Sequence, residues 1–363
     1  MNGILLSVII PMYNAAPWIS ECLQSLLVPP KFWPLLEVIV VDDGSTDGCE
    51  KTAQKAAADY PKLFSVIHKT NGGHGSAVNA GIHVCRGRYV KVLDADDWFL
   101  TGELCGLLEE LGQIGEPEVV FCPFRTFDRK TGRQSEVRAL LSAKPARTGA
   151  APAEKERGPA DTKAAPTQQA ACHCQILTME QLVGAWRAFA PILTFHGILY
   201  RRDFYLRLGK KLPEGVFYDD GFYVIAAASH AQKIGILDRC LYVYRIGNSA
   251  QSVSAKNRVL RLGDAKEVIL SVCRTMGENR SAAGQEYWRR KVCSFLADYF
   301  VTCFLRFDDK RAGRREAKKF RELLKKEFPV LEQMMRKKYF VLQAMGYLHI
   351  NERQFERLLR MRL

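Results

Sequence analysis

Five short apolar runs punctuate the first third of the chain: residues 4–10, 35–41, 63–67, 89–93 and 118–124. Each is β-prone and too short for a helix, so each reads as a strand buried on both faces, as in a parallel sheet. Between them the apolar positions recur at helical spacing. Trp18, Ile19, Cys22, Leu23, Leu26 and Leu27 share one face over residues 15–27, and Pro29-Pro30 stops that helix. Further helices are expected up to about residue 60, through about residue 85, and over 103–111. Strand–helix alternation at about 25–30 residues per unit predicts a parallel sheet wound through right-handed crossovers.

Residues 132–171 break this pattern. Rich in Ala, Pro, Lys, Glu and Gln, with few bulky apolar side chains, they read as a disordered insertion looped out of the domain. Order is expected again from Ile176, with a helix over 178–188 and an apolar stretch over 198–200 leading into a helix at Asp203. LPEGVFYDDGFYVIAAASHA (212–231) gives a turn, two acids and a buried helix, and 234–244 gives one or two strands. From Ala255 the spacing is helical, with a long amphipathic segment, a basic run over 310–326 and a last short helix after Asn351. The expected organisation is an α/β domain over 1–250, carrying the 132–171 insertion, and a basic helical region over 251–363.

Composition narrows the setting. The 363 residues, 47% of them hydrophobic, can bury one large domain or two ordinary ones. The start, MNGILLSVIIPMYN, has no basic leader and runs straight into a strand, so no signal peptide is expected. No apolar run approaches the roughly 20 residues of a spanning helix. The 11 cysteines are odd in number and mostly lie in apolar runs, which suits reduced core thiols in the cytoplasm. Cys172-His173-Cys174 lacks a second ligand pair and makes a poor zinc site. Charge is unevenly placed: residues 256–363 carry 26 Lys/Arg against 13 Asp/Glu, while the preceding residues carry 27 against 26. A basic helical tail on a neutral body points to an anionic partner, although a solvated face explains it equally well.

The candidate chemistry lies where the first four strands end, in residues 11–14, 42–47, 71–79 and 94–97. In a parallel sheet these ends share one rim, where open α/β folds bind ligands. YVKVLDADDW (89–98) closes in Asp94, Asp96 and Asp97. Asp94 and Asp96 can turn toward one point and suit Mn2+ or Mg2+ held against a phosphate. The plainer alternative is a solvated acidic turn with Asp97 capping the next helix. In VIVVDDGSTDG, Asp42 and Asp43 can accept hydrogen bonds from a nucleobase or ribose, and Ser45 or Thr46 can cap a helix. In NGGHGSAVNAG the glycines permit close backbone approach, and the helix start favours an anion. The spacing is not GxGxxG, so the dinucleotide fingerprint fails. His74 could donate to a phosphate, but an exposed loop histidine without a role explains it better.

SVIIPMYN (7–14), VVDDGSTDG (40–48), NGGHGSAVNAG (71–81) and GRYVKVLDADDW (87–98) together resemble the successive motifs of family-2 glycosyltransferases with the GT-A fold. The match is close over about residues 4–125 and looser over 195–225. It implies an α/β fold, with a Rossmann-like, mostly parallel sheet and a C-terminal helical region. A nucleotide-sugar donor, usually a UDP-sugar, would lie across the rim. Pro11, Tyr13 and Asp42 would contact the uridine, with Asp43 nearby and Asn71 and Gly73 lining the site; Asn14 and Asn79 are placed in the same donor-binding set. Asp94 and Asp96 would form the DxD motif, holding the ribose and a divalent cation, Mn2+ or Mg2+, on the diphosphate. Members often carry Arg before the Asn of the third motif; here it is Val78, and one phosphate contact is missing.

Inverting transfer is a direct displacement at the anomeric carbon and needs a base for the acceptor hydroxyl. The resemblance points to Asp219-Asp220, with Asp220 as base and Asp219 as orienter or acceptor contact; the alternative is that one of them caps the helix near Gly221. Arg245 could reach the diphosphate or an acceptor phosphate, or form a surface salt bridge. The QxxRW motif of processive synthases is absent from the sequence, which favours single-sugar transfer. The implied enzyme is a hexosyl- or N-acetylhexosaminyltransferase acting on a polysaccharide, teichoic acid or lipid-linked acceptor in cell-envelope glycan synthesis. It would be cytoplasmic, with its basic helices at the inner face of the plasma membrane and no nucleic acid partner. A nucleotidyltransferase would favour a Gly-rich loop with Lys or Arg after the first strand, and PMYN has neither. An inactive nucleotide-sugar-binding module is the third reading, against which the intact acidic motifs count.

Overall fold

In a computed structural model of the protein, residues 3–140, 174–247, 254–275, 277–279, 281–350 and 354 are described. The apolar runs become β1 (Leu6–Met12), β2 (Leu36–Asp42), β3 (Phe64–His68) and β4 (Tyr89–Val92), followed by β5 (Trp98–Phe99), β6 (Val119–Phe121), β7 (Phe124–Asp128) and β8 (Gln134–Val137). Further along the chain come β9 (Cys174–Leu177), β10 (Ile198–Arg201), β11 (Ile234–Leu237) and β12 (Tyr242–Ile246). The large sheet has the order β3-β2-β1-β4-β10-β6-β11-β9, and a smaller one the order β5-β12-β7-β8.

β1 and β2 are buried along their whole length, and their alternate residues feed two cores. Val8, Ile10, Val38 and Val40 pack on one face of the sheet; Ile9, Ile39, Val41, Val90 and Val92 pack on the other. Each such side chain contributes about 1.5–3 kcal/mol by leaving water. That two-sided burial explains why the runs are continuous rather than alternating. Glu37, in the middle of buried β2, is tolerated because Ser7 Oγ donates to it at 2.6 Å and Arg86 Nε at 2.9 Å.

Strands β1 to β4 pair in parallel as expected. The rest of the sheet is mixed. β10 runs antiparallel between β4 and β6, and β9 antiparallel to β11. The fifth apolar run does not form one strand: it splits into β6 and β7, which belong to different sheets. Pro123 stands at the break, where a residue without an N–H cannot extend the ladder. Residues 234–244 likewise split into β11 of the large sheet and β12 of the small one. The helix expected over 15–27 is confined to Ile19–Gln24.

The stretch read as a looped-out insertion begins with structure. Gln134–Val137 pairs antiparallel with β7, and Arg125 ties the pair by donating to Glu136 at 2.8 Å. A strand paired on one edge needs little apolar content, and composition therefore hid it. Residues 141–173, including Cys172-His173, lie outside the described residues, as does nearly all of the helix expected after Asn351.

The C-terminal third forms helices Ala255–Leu260, Leu262–Arg274, Ala282–Val301, Lys310–Glu327 and Pro329–Tyr347. They are joined to the α/β part through a shared core: Phe222, Ile225 and Ala226 pack with residues from Leu262 to Leu342. Tyr287 enters the second core and donates its hydroxyl to the Val224 carbonyl at 3.0 Å. The ten described cysteines are free thiols. Among the described residues, no helix is long and apolar enough to cross a membrane.

Candidate active site

The carboxyl ends of β1, β2 and β4 lie along one rim because these strands are parallel neighbours. β10 is antiparallel, so its amino end joins the same rim beside β4. At the end of β1, Tyr13 is 54% exposed and Asn14 turns into the left-handed region at φ 49°. Asn14 Oδ1 accepts from the Thr46 N–H at 2.8 Å, and the Asn14 N–H donates to Ser45 Oγ at 3.1 Å. These bonds bind the first rim loop to the second. Asp42, at the end of β2, accepts from the Ser45 N–H at 3.0 Å and lies 3.0 Å from His68 Nδ1. Burial opposes its charge, but the bonds to Ser45 and His68 hold its carboxyl below the usual range.

Asp43 has another role. Its oxygens accept from Lys69 Nζ at 2.6 Å, from the Gly72 N–H at 3.0 Å and from the Gly73 N–H at 2.7 Å. It is committed to shaping the third loop, on which Asn71 is exposed and Gly73 is half-buried against Gly215. Asn79, expected among donor contacts, spends its amide on the chain itself. It donates to the Leu212 carbonyl and Glu214 at 3.0 Å each and accepts from the Leu212 N–H at 2.9 Å. The segment it pins covers the start of helix His74–Val84. A Cβ on Gly75 would lie 2.2 Å from the Pro213 carbonyl and 3.0 Å from Asp219 Oδ2. The helix start expected to be open to an anion is therefore occupied by the chain's own Asp219.

The acidic turn after β4 brings side-chain oxygens of Asp94, Asp96 and Asp97 within 4.8 Å of one another. Asp97 is buried and supports the turn: it accepts from Tyr242 Oη at 2.6 Å and from the Arg245 N–H at 2.7 Å. Burial first, and then Asp96 and Asp94, push its carboxyl well above the usual range. Arg245, expected at a phosphate, is buried beneath this turn. Its Nε donates to the Asp96 carbonyl at 2.7 Å, its Nη2 to Glu21 at 2.6 Å, and its guanidinium lies over Trp98 and Trp18. Asp94 and Asp96 are the half-buried pair left facing the rim. Burial and then the neighbouring Asp94 raise Asp96 to about 6. Hard oxygen donors crowded so that their charges repel are the environment that a divalent cation relieves, and these residues fit Mn2+ or Mg2+.

The second acid group arrives from far along the chain. Asp219 and Asp220 follow Tyr218, which is held at φ 69°, an uncommon conformation for a bulky residue. Asp219 occupies the cap position of the short helix Asp220–Phe222 but makes no capping bond, so the alternative role is not realised there. Instead its Oδ2 lies 2.8 Å from His74 Nδ1, while His74 Nε2 lies 3.1 Å from Asp94 Oδ1. Burial opposes a charged ring, yet Asp219 and then Asp94 hold His74 well above the ordinary imidazole range. An imidazolium thus clamps the two acid groups together. Asp220 is half-buried beside them, raised to about 6 by burial and then by Asp219. Read from the sequence as an exposed loop residue without a role, His74 is half-buried between two carboxylates, and both partners are remote from it along the chain. A glycine-flanked histidine at a helix start was the only cue.

Residues 7–174 match the family model described as glycosyl transferase family 2. An uncharacterized glycosyltransferase of Bacillus subtilis (strain 168), EpsJ, is 30% identical over 245 residues, covering 66% of this chain and 61% of that protein. The uncharacterized glycosyltransferase YibD of Escherichia coli (strain K12) is 44% identical over 92 residues, 25% of this chain and 26% of that one. The chain thus spans about three fifths of the first relative's length and a quarter of the second's. Among solved structures, S. aureus TarS 1–349 superposes with a TM-score of 0.57 at 16% identity, covering 94% of this chain and 90% of that one. The complex of the same protein with UDP-GlcNAc superposes with a TM-score of 0.53. At that identity the likeness is one of fold.

Proposed function

Through residues 7–174 the chain belongs to glycosyl transferase family 2, and from that premise we propose that it is a metal-dependent inverting enzyme transferring one sugar from a UDP-sugar. The observation that carries this reading is the His74 clamp, which joins Asp94, after β4, to Asp219, the neighbour of Asp220. A donor on this rim would set its nucleoside against Pro11, Tyr13 and Asp42. Asp94 and Asp96 would hold Mn2+ or Mg2+, which when bound supplies positive charge to the departing diphosphate. Asp220 takes the proton of the acceptor hydroxyl as its oxygen bonds to the anomeric carbon and the bond to the diphosphate breaks. Asp219 acts through His74 as a positioning residue. Asp43, Asn79 and Arg245 serve the same site by holding its loops.

Calorimetry of UDP and UDP-hexoses with and without Mn2+ tests the donor, and UDP release tests turnover. UDP-GlcNAc, the ligand of the TarS complex, comes first in the screen. Binding of UDP without release under any acceptor mixture would favour an inactive binding module instead.

The acceptor belongs to the same proposal: a polysaccharide, teichoic acid or lipid-linked glycan of the cell envelope, reached at the inner face of the membrane. Helix Pro329–Tyr347 supports this. It exposes Val330 (50%), Met334 (44%) and Val341 (52%) at spacings that share one face, with exposed Lys337 and Lys338 nearby. Flotation with phosphatidylglycerol vesicles should show association that falls with salt and is weakened by Lys337→Glu with Lys338→Glu. No salt-sensitive association would remove the membrane contact and leave the transferase reading intact.

A further inference from the structure

We infer that the imidazole edge of His196 and the hydroxyl of Tyr244 bind hydroxyl groups of the sugar being transferred; this rests on the donor assignment above. Order along the rim gives the first argument. From β2 through β1 to β4 the rim passes the residues assigned to the nucleoside and then those assigned to the diphosphate. The next strand is β10, and residues 195–197 stand at its amino end. The sugar follows the diphosphate in the donor, so this is where it would lie.

The chemistry of the two side chains gives the second. Their rings stack at 4.1 Å with an interplanar angle of 27°, and Tyr242 and Phe124 each lie 5.1 Å from the His196 ring. Both residues are half-buried, and neither side chain makes a hydrogen bond among the described residues. Their polar atoms are held by no protein group and are open to solvent, so hydroxyls of a ligand can take the place of water there. Burial pushes His196 down to about 4, so the ring is neutral and offers one donor and one acceptor nitrogen. Sugar hydroxyls need both. Burial first, and then Asp97, Asp94, Asp96 and Asp220, raise the Tyr244 phenol, so both acid groups of the rim lie within electrostatic reach of it.

The backbone beneath them gives the third. Lys91, fully buried in β4, donates to the carbonyls of Phe195 at 2.9 Å, His196 at 2.8 Å and Ile198 at 3.0 Å. Gly197 allows no side chain: a Cβ there would lie 2.5 Å from the Ile192 carbonyl and 2.7 Å from that of Cys122. The main chain of His196 is therefore clamped while its ring edge is left free. Fixed backbone with spare polar atoms is how a binding group is preorganised.

The test compares UDP with UDP-glucose, UDP-galactose and UDP-GlcNAc by calorimetry in Mn2+, using the full chain. Wild type should bind its preferred UDP-sugar more tightly than UDP. Tyr244→Phe and His196→Ala should each lower affinity for that UDP-sugar by about 5–10-fold, the size of one lost hydrogen bond. Their affinity for UDP should stay within about twofold, which also shows that the variants fold. Equal loss for UDP and UDP-sugar would overturn the inference, as would no loss for either. Unchanged donor affinity with a raised KM for the acceptor would also overturn it, since the pair would then serve the acceptor. If wild type binds neither UDP nor any UDP-hexose, the donor assignment falls and this inference falls with it.

Discussion

Asp220→Asn is expected to cut sugar transfer by about 10²–10⁴-fold, the usual contribution of a general base. UDP-sugar affinity should stay close to that of wild type. The amide keeps the shape of the side chain, and the donor-side residues lie elsewhere on the rim. It cannot accept the proton that the acceptor oxygen must lose. The wild-type pH profile provides a second reading of the same group. Burial, and then Asp219, raise Asp220 to about 6. A base works as the carboxylate, so the transfer rate should fall as pH drops through about 6 and level off above it. The variant's residual rate should lose that dependence. Near-normal turnover in Asp220→Asn would end the base assignment, and the acidic limb would then have to be traced to another group.

Asp96→Asn is expected to lower metal-dependent turnover by about 10²–10³-fold, as when one preorganised charge-stabilising group is removed. A thermal readout separates this loss from misfolding. Without metal, wild type carries the Asp94, Asp96 and Asp97 oxygens within 4.8 Å of one another. Like charges in part-buried surroundings repel, so removing one should raise the melting temperature of the metal-free protein. Added Mn2+ should raise the melting temperature of wild type much more than that of the variant. A variant that still gains as much from Mn2+ would place the cation away from this turn. Chelation of wild type should reproduce the variant's loss of turnover, and Mn2+ should restore it.

The same rim shows how far local sequence could lead. Continuous apolar runs such as 4–10 and 35–41 can be satisfied only by burial on both faces, so a parallel sheet and its rim were implicit in them, while the antiparallel entry of β10 and β9 was not. The four loop motifs were legible for the same reason, since each closes such a run. Residues 134–137 were misread because a strand on an edge is held by backbone pairing, which composition does not record. The split at Pro123 was visible as a residue, but which sheet each half joined was not.

Side-chain roles divide along the same line. Asp43, Asn79 and Arg245 looked like ligand contacts because polar residues in rim loops commonly are. They proved to hold Gly72 and Gly73, Leu212, and the acidic turn respectively. Lys91, His196 and Tyr244 carried no local signal, and His74 only its glycine-flanked place at a helix start. Their meaning comes from neighbours brought in by the fold, such as Asp219 for His74 and the Phe195–Ile198 carbonyls for Lys91. By itself the sequence determined the first four strands, their rim and the acids upon it, because burial pattern and turn chemistry act over a few residues. Only the tertiary structure decided which polar groups are spent on support and which are left free for a ligand. A hydrogen bond between residues far apart in the chain exists only after the fold has closed that distance.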